Sequence, residues 1–233
     1  MRESSIIVAT ISADRLHLEQ ASAMIQSLAE NSPDDRVRLY VVDGTGYPAE
    51  LINPACESVE VSLCLSEAKK EDIPGIMSCH RTMIIKEALH DYDRVAYIDC
   101  DAIIRKSLDE FWHDVEPNCI KVMHRPHADQ NCKFQAGIFA IGKSPNVVKM
   151  IDEYDKRVQR NVYFLAEQQM LYEAWHGSDV SLVEMGSEFN DWHFDDQSTI
   201  WHCKANHFTE KKYQKEYRRH LDAAYAKVLG IPA

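Results

Sequence analysis

Asp99-Cys100-Asp101 closes the apolar run Arg94-Val95-Ala96-Tyr97-Ile98, so two carboxylates stand where a strand runs out into solvent. In an extended chain residues i and i+2 point the same way, which would turn both acids toward one site. Two like charges brought that close repel, and each raises the other's pKa unless a cation neutralises them. Hard oxygen ligands suit Mg2+ or Mn2+, which keep open positions for phosphate oxygens. A metal so held can bind a diphosphate and stabilise the charge that builds on it as a leaving group. A bare D-x-D also occurs as solvated acids at a strand end, so its context decides.

The elements around it supply that context. Residues 5–10 read as a buried strand, followed by Leu16, Ala21, Met24, Ile25 and Leu28 at helical spacing up to Asn31-Ser32-Pro33. Residues 38–42 form a second strand closed by Asp43-Gly44, and residues 59–65 a third. A helix over 75–89 then leads into the strand that carries the acids. This is an α/β pattern, with a crevice expected at the carboxyl ends of its parallel strands. Downstream, residues 119–124, 134–141, 180–184 and 199–202 read as strands, and 146–160, 165–175 and 210–229 as helices. There is no internal repeat and no linker.

Size and charge narrow the classes. A chain of 233 residues with 45% hydrophobic residues can bury one sizeable core. A net charge of −11 argues against wrapping nucleic acid by overall electrostatics. The apolar stretch at 6–11 is too short for a signal peptide core or a membrane span, so no transmembrane segment and a cytoplasmic location are expected, with peripheral membrane contact left open. Seven cysteines without a C-x-x-C pair read as reduced thiols.

Five segments in order carry a resemblance: Val8-Ala9-Thr10, Tyr97-Ile98-Asp99-Cys100-Asp101, Phe134-Gln135-Ala136-Gly137-Ile138-Phe139, Ala166-Glu167-Gln168-Gln169 and Ile200-Trp201-His202. The chain resembles the nucleotide-sugar glycosyltransferases of the GT-A fold, and among them the family-eight retaining hexosyltransferases. Members of that family carry an opening strand ending in Ala-Thr, a Tyr-Leu-Asp-x-Asp segment, a Phe-Asn-Ser-Gly-Val strand, an Asp-Gln pair on a helix and a late metal-binding His. The resemblance implies a single α/β domain of GT-A (Rossmann-like) type over 1–208, with a mixed, mainly parallel sheet flanked by helices. Residues 209–233 would form a basic amphipathic helix packed on it.

It also implies a metal-dependent transfer of a hexose, with retention, from a nucleotide-sugar (a UDP-sugar is expected) to a glycan precursor or other hydroxyl acceptor. Asp99, Asp101 and His202 would hold Mn2+ or Mg2+. Ala9, Thr10, Arg81, Asp99, Gln135, Gly137, Lys204 and His207 would contact the donor, with Gly137 letting the backbone approach the sugar and Lys204 and His207 neutralising the departing phosphates. Glu167, Gln168 and Arg81 would flank the reacting centre. Four departures stand out: Ile11-Ser12-Ala13-Asp14 replaces the usual base-recognition segment, Gln135-Ala136-Gly137 stands for Asn-Ser-Gly, Glu167-Gln168 for Asp-Gln, and Lys204, Asn206 and His207 occupy the neighbourhood of the absent terminal Gly-x-x-Lys-Pro-Trp.

Arg81 draws notice without any family, because it lies four residues after Met77 and four before Ile85 on the buried stripe of its helix. A cation there needs a partner, and Asp99 or donor phosphates are candidates. Asp191, Asp195 and Asp196 are candidate acceptor contacts in an otherwise solvated acidic loop. The last helix carries Lys211, Lys212, Lys215, Arg218 and Arg219 on one face and Tyr213, Tyr217, Leu221 and Tyr225 on another. Such a face is either solvated or drawn to anionic lipid or nucleic-acid phosphate, which leaves a modified DNA base as an alternative acceptor. Two competing readings are a non-catalytic sugar-nucleotide-binding protein and a haloacid-dehalogenase-like phosphatase. The phosphatase motif normally opens a chain, whereas this one comes late.

Overall fold

The computed structural model describes residues 5–12, 14–43, 56–61, 73–160, 166–203 and 207–228. The opening half alternates strand and helix: β1 (Ser5–Ser12), α1 (Arg15–Asn31), β2 (Val37–Val42), β3 (Cys56–Val61), α2 (Ile73–Asp91) and β4 (Arg94–Ile98). β5 (Ala102–Ile104), α3 (Asp109–His113), β6 (Cys119–His124), β7 (Phe134–Gly142), α4 (Pro145–Val158), α5 (Ala166–His176), β8 (Ser181–Glu184), β9 (Ile200–His202) and α6 (Lys211–Val228) follow.

Seven strands form one sheet in the order β3-β2-β1-β4-β7-β6-β8, and β5 pairs with β9 in a small second sheet. β1 to β4 are mutually parallel where they pair, β7 is antiparallel to both β4 and β6, and β8 is parallel to β6. The expected mixed, mainly parallel sheet flanked by helices is therefore present. Both faces of the sheet are covered, which explains why β1 reads as a continuous apolar run. Ile7, Ala9 and Ile11 face one core with Met24, Ile25 and Leu28 of α1, while Ile6 and Val8 face another with Ile84, Ile85 and Ala88 of α2. α1 starts at Asp14, whose carboxylate accepts the His17 N–H at 3.1 Å, and α4 at Ser144, with Pro145 in its first turn. Caps of this kind stabilise a helix end by about 1 kcal/mol each.

The third strand lies at Cys56–Val61, three residues earlier than the sequence pattern suggests, and 62–65 fall outside the described residues. β5 and α3 have no counterpart in the sequence reading. β5 is three residues long, too short for a periodic signal, and exists because β9 pairs with it. Their union creates a third apolar cluster, in which Ile103, Phe194, Trp201 and Cys203 meet Ala23 of α1 and Tyr213, Tyr217 and Leu221 of α6. The last helix thus shares a core with the strand that presents His202. Six cysteines are described, all free, and four of them are buried. Among the described residues no helix is long and apolar enough to cross a membrane.

Candidate active site

Asp99 follows β4 directly, and its N–H donates to Gly137 O at 2.9 Å while its carbonyl accepts from Ala102 N–H at 3.1 Å. The chain therefore turns between the two acids. The expectation that alternation along an extended strand would aim them together is corrected: a turn does it, because β5 must run off to meet β9. The small sheet then delivers the third group, since Ala102 pairs with His202 in register. His202 Nε2 lies 3.3 Å from Asp99 Oδ2 and 3.3 Å from Asp101 Oδ1. One ligand atom from each of Asp99, Asp101 and His202 can be chosen so that all lie within 4.8 Å of one another. Two hard oxygens and an imidazole nitrogen at this spacing fit a divalent cation of the Mn2+ or Mg2+ type.

The glycine beneath the triad is specific to it. A Cβ on Gly137 would stand 2.4 Å from His202 Cε1 and 2.5 Å from Asp99 Oδ2. Only a residue without a side chain leaves room for both. The sequence reading gave Gly137 to the donor sugar; in the structure it makes space for the side chains of Asp99 and His202.

Arg81 finds protein partners. Its guanidinium donates to Ala136 O at 2.7 Å, reaches Asp99 Oδ1 at 3.5 Å and Glu167 Oε1 at 3.9 Å, and lies 4.5 Å from the centre of the Tyr97 ring. Tyr97 in turn donates its hydroxyl to Asp99 Oδ1 at 2.8 Å. Burial would push the Asp99 carboxyl up, but Arg81, His202 and the Tyr97 hydroxyl hold it below the usual carboxylate range. Burial would lower the His202 pKa, yet Asp101 and Asp99 push it up to about 9. Glu167 is raised by burial despite Arg81.

Beside this cluster lie buried polar atoms with no hydrogen-bond partner among the described residues: both amide atoms of Gln135 and Oε2 of Glu167. Those side chains are 1% and 4% exposed. Groups buried unpaired cost about 1–3 kcal/mol each, so a polyhydroxyl ligand at this point would have partners waiting. Gln168 is half-buried one residue on, about 100° round α5 from Glu167.

A cleft of about 400 Å3 opens from the triad along the end of β1, lined among others by Thr10, Ser12, Leu16, His17, Met77, Arg81, Tyr97, Asp99 and Asp101. Leu16, which the sequence placed on the apolar stripe of α1, is exposed instead and lines the cleft with His17 and Gln20, which were not singled out by sequence; their only signal is that they follow the departed segment at the strand end. Ser12 bonds Asp14, and His17 Nδ1 lies 2.9 Å from the Ser12 hydroxyl. Ala9 is buried in the core, so only its backbone can face a ligand. His207 sits edge-on to Phe194, ring centres 6.2 Å apart. Lys204 lies outside the described residues.

The acidic loop is largely engaged with itself. Asp191 accepts from the N–H groups of His193 and Asp195 and from the Ser198 hydroxyl. Asp196 pairs with Arg105 at 3.3 Å and Lys212 at 2.9 Å. Sequence gave no hint of Asn190, whose Oδ1 lies 2.8 Å from His202 Nδ1, because the two are joined only through the fold.

A doubly covered α/β sheet with an Asp-x-Asp and a late histidine meeting at the carboxyl end of β4 is the GT-A class of fold. Neither a protein-family model nor a curated protein sequence matches this chain. Among solved structures, the galactosyltransferase LgtC, determined with donor and acceptor sugar analogues, is similar with a TM-score of 0.59 at 14% identity, over 92% of this chain and 95% of that one. GlyE, a glycosyltransferase of Streptococcus pneumoniae TIGR4, is similar with a TM-score of 0.60 at 13% identity, over 99% of this chain and 65% of that one. These likenesses establish the shared fold.

Proposed function

We propose that the protein is a metal-dependent glycosyltransferase that moves a hexose from a nucleotide-sugar, a UDP-hexose first among candidates, to a hydroxyl acceptor such as a glycan precursor. The convergence of Asp99, Asp101 and His202, two of which line the cleft, together with the unpaired buried atoms of Gln135 and Glu167, carries the reading. A bound Mn2+ or Mg2+ would neutralise the diphosphate of the donor as it leaves. Asp99, Asp101 and His202 would hold the cation, and Thr10 and Arg81 would line the donor's path. Lys204 and His207 would serve as donors to the departing phosphates. Gln135, Glu167 and Gln168 would orient the sugar, and transfer with retention by attack of the acceptor on the donor's own face is the mechanism proposed. A cytoplasmic location is part of this reading.

The same geometry weighs against a phosphatase whose nucleophile is the first aspartate. Asp99 Oδ1 is engaged by Tyr97 and Arg81 and Oδ2 faces His202, so both oxygens already have protein partners.

The test is calorimetry of UDP with Mn2+ and with chelator, followed by hydrolysis of UDP-hexoses without acceptor. UDP should bind much more tightly with Mn2+, and Asp101→Ala should abolish both effects while the chain stays folded. Equal affinity in both conditions overturns the metal role. Tight UDP-hexose binding with no hydrolysis and no transfer would favour a non-catalytic sugar-nucleotide-binding protein.

A further inference from the structure

A neutral imidazole has one N–H and one lone pair, so His202 can ligate a cation through Nε2 only when its proton sits on Nδ1. Nothing in residue 202 makes that choice. The group that faces Nδ1 makes it, as outer partners of metal-binding histidines generally do.

Here that group is the Asn190 side chain. Its Oδ1 lies 2.8 Å from His202 Nδ1, and the two residues are 1% and 4% exposed, so water does not compete. An oxygen at that place can only accept. It therefore favours Nδ1–H and leaves the Nε2 lone pair directed at the point where Asp99 and Asp101 converge. The opposite orientation of the amide would offer N–H to Nδ1 and force the proton onto Nε2, between the ring and any cation.

The loop holds Asn190 in place through its backbone. Asn190 N–H donates to Ser187 O at 3.2 Å, Asp191 N–H to Ile200 O at 3.2 Å, and His202 N–H to Asp191 O at 2.9 Å. Residues 190 and 202 are thus bracketed by bonds between their own neighbours, while the Asp191 carboxylate collects three donors from the loop that follows.

We propose that Asn190 is a positioning residue of the metal site, whose amide oxygen holds His202 in the tautomer that ligates a divalent cation. The proposal rests on reading Asp99, Asp101 and His202 as ligands. It assigns Asn190 no contact with donor or acceptor.

The test compares the wild-type chain with Asn190→Asp, which keeps an acceptor, and Asn190→Leu, which removes it at similar volume. Mn2+ affinity is measured by calorimetry, melting temperature checks folding, and nitrogen NMR of 15N-histidine protein with Mg2+ reports which ring nitrogen of His202 is protonated. Asn190→Leu should weaken Mn2+ binding by about 10–100-fold and lose the pure Nδ1–H pattern, while Asn190→Asp stays within a few-fold of wild type. Should the leucine variant not fold, Asn190→Ala makes the same comparison. Wild-type affinity and an unchanged tautomer in a folded leucine or alanine variant overturn the proposal, as does an aspartate variant no better than leucine. A wild-type chain that binds no Mn2+ overturns the metal reading itself, and needs no variant to show it.

Discussion

The phenol of Tyr213 donates to the backbone carbonyl of Asp101 at 2.8 Å, which bonds the last helix to the segment that carries the two acids. That carbonyl also accepts from Cys203 N–H at 3.2 Å, so α6, the turn between Asp99 and Asp101 and the end of β9 meet at one atom. Tyr213→Phe keeps the buried ring and deletes only the hydroxyl. It should cost about 1 kcal/mol, and hence about 2–4 °C in melting temperature for a chain of this size, with weaker Mn2+ binding. Denaturant unfolding and calorimetry on the same samples check it, and unchanged values in both would mean that α6 only covers the core.

Arg81→Met deletes a buried cation and leaves Asp99 and Glu167 without their shared partner. Because the guanidinium is engaged by protein groups on several sides, a loss of about 3–5 kcal/mol is expected, far more than for a residue that only greets donor phosphates. Adding Glu167→Gln should recover part of the loss, since it removes one of the stranded charges. A melting temperature close to wild type in Arg81→Met would return Arg81 to a purely donor-binding role.

Gly137→Ala would place a methyl against both His202 and Asp99. Either the histidine or the carboxylate must move, so Mn2+ affinity should fall by at least about tenfold while far-ultraviolet circular dichroism stays native. Wild-type affinity would show that the triad tolerates displacement and is not the cation site.

On the proposed reading, proton and cation compete for His202. With its folded pKa raised from 6.5 to about 9, protonation favours the folded metal-free chain. Since the raised value belongs to the folded state, this stabilisation is fully present below about pH 6.5 and is lost as the pH rises through about 9. Mn2+ affinity should run the opposite way, rising toward pH 9 with a proton released per ion bound. Urea midpoints of the metal-free chain from pH 6 to 10, with His202→Gln as the reference, and Mn2+ titrations in buffers of different ionisation heat measure the two arms; a flat profile in both would refute the linkage.

Five of the six lysines and arginines of α6 lie within residues 211–219 and all five are exposed, but they do not form one free face. Lys212 pairs with Asp196 and Arg219 with Glu30 and Glu216, which leaves Lys211, Lys215 and Arg218 as the row facing solvent. If that exposed row draws an anionic acceptor, such as DNA or a lipid-borne glycan precursor, replacing those three with Gln should raise the acceptor KM and flatten its salt dependence, with donor hydrolysis unchanged. Identical acceptor kinetics at every salt concentration would make the row a solvated surface.

The sequence by itself determined the alternation of strand and helix, because apolar periodicity and turn residues are local signals. It also determined which strand would end in two acids, because apolar run and acids are contiguous in the chain, while the late histidine was joined to them only by the resemblance to a family. It left Arg81 between two partners and missed Asn190 altogether. Only the tertiary structure decided that Asp99 and Asp101 converge through a turn, that Gly137 clears space for the triad, and that β5 and β9, each three residues long, hold His202 against the acids. The physical reason is sequence distance. Pairings such as Ala102 with His202, Arg81 with Asp99 and Glu167, and Tyr213 with Asp101 join residues far apart in the chain, and their geometry comes from how the sheet, its helices and the last helix pack against one another.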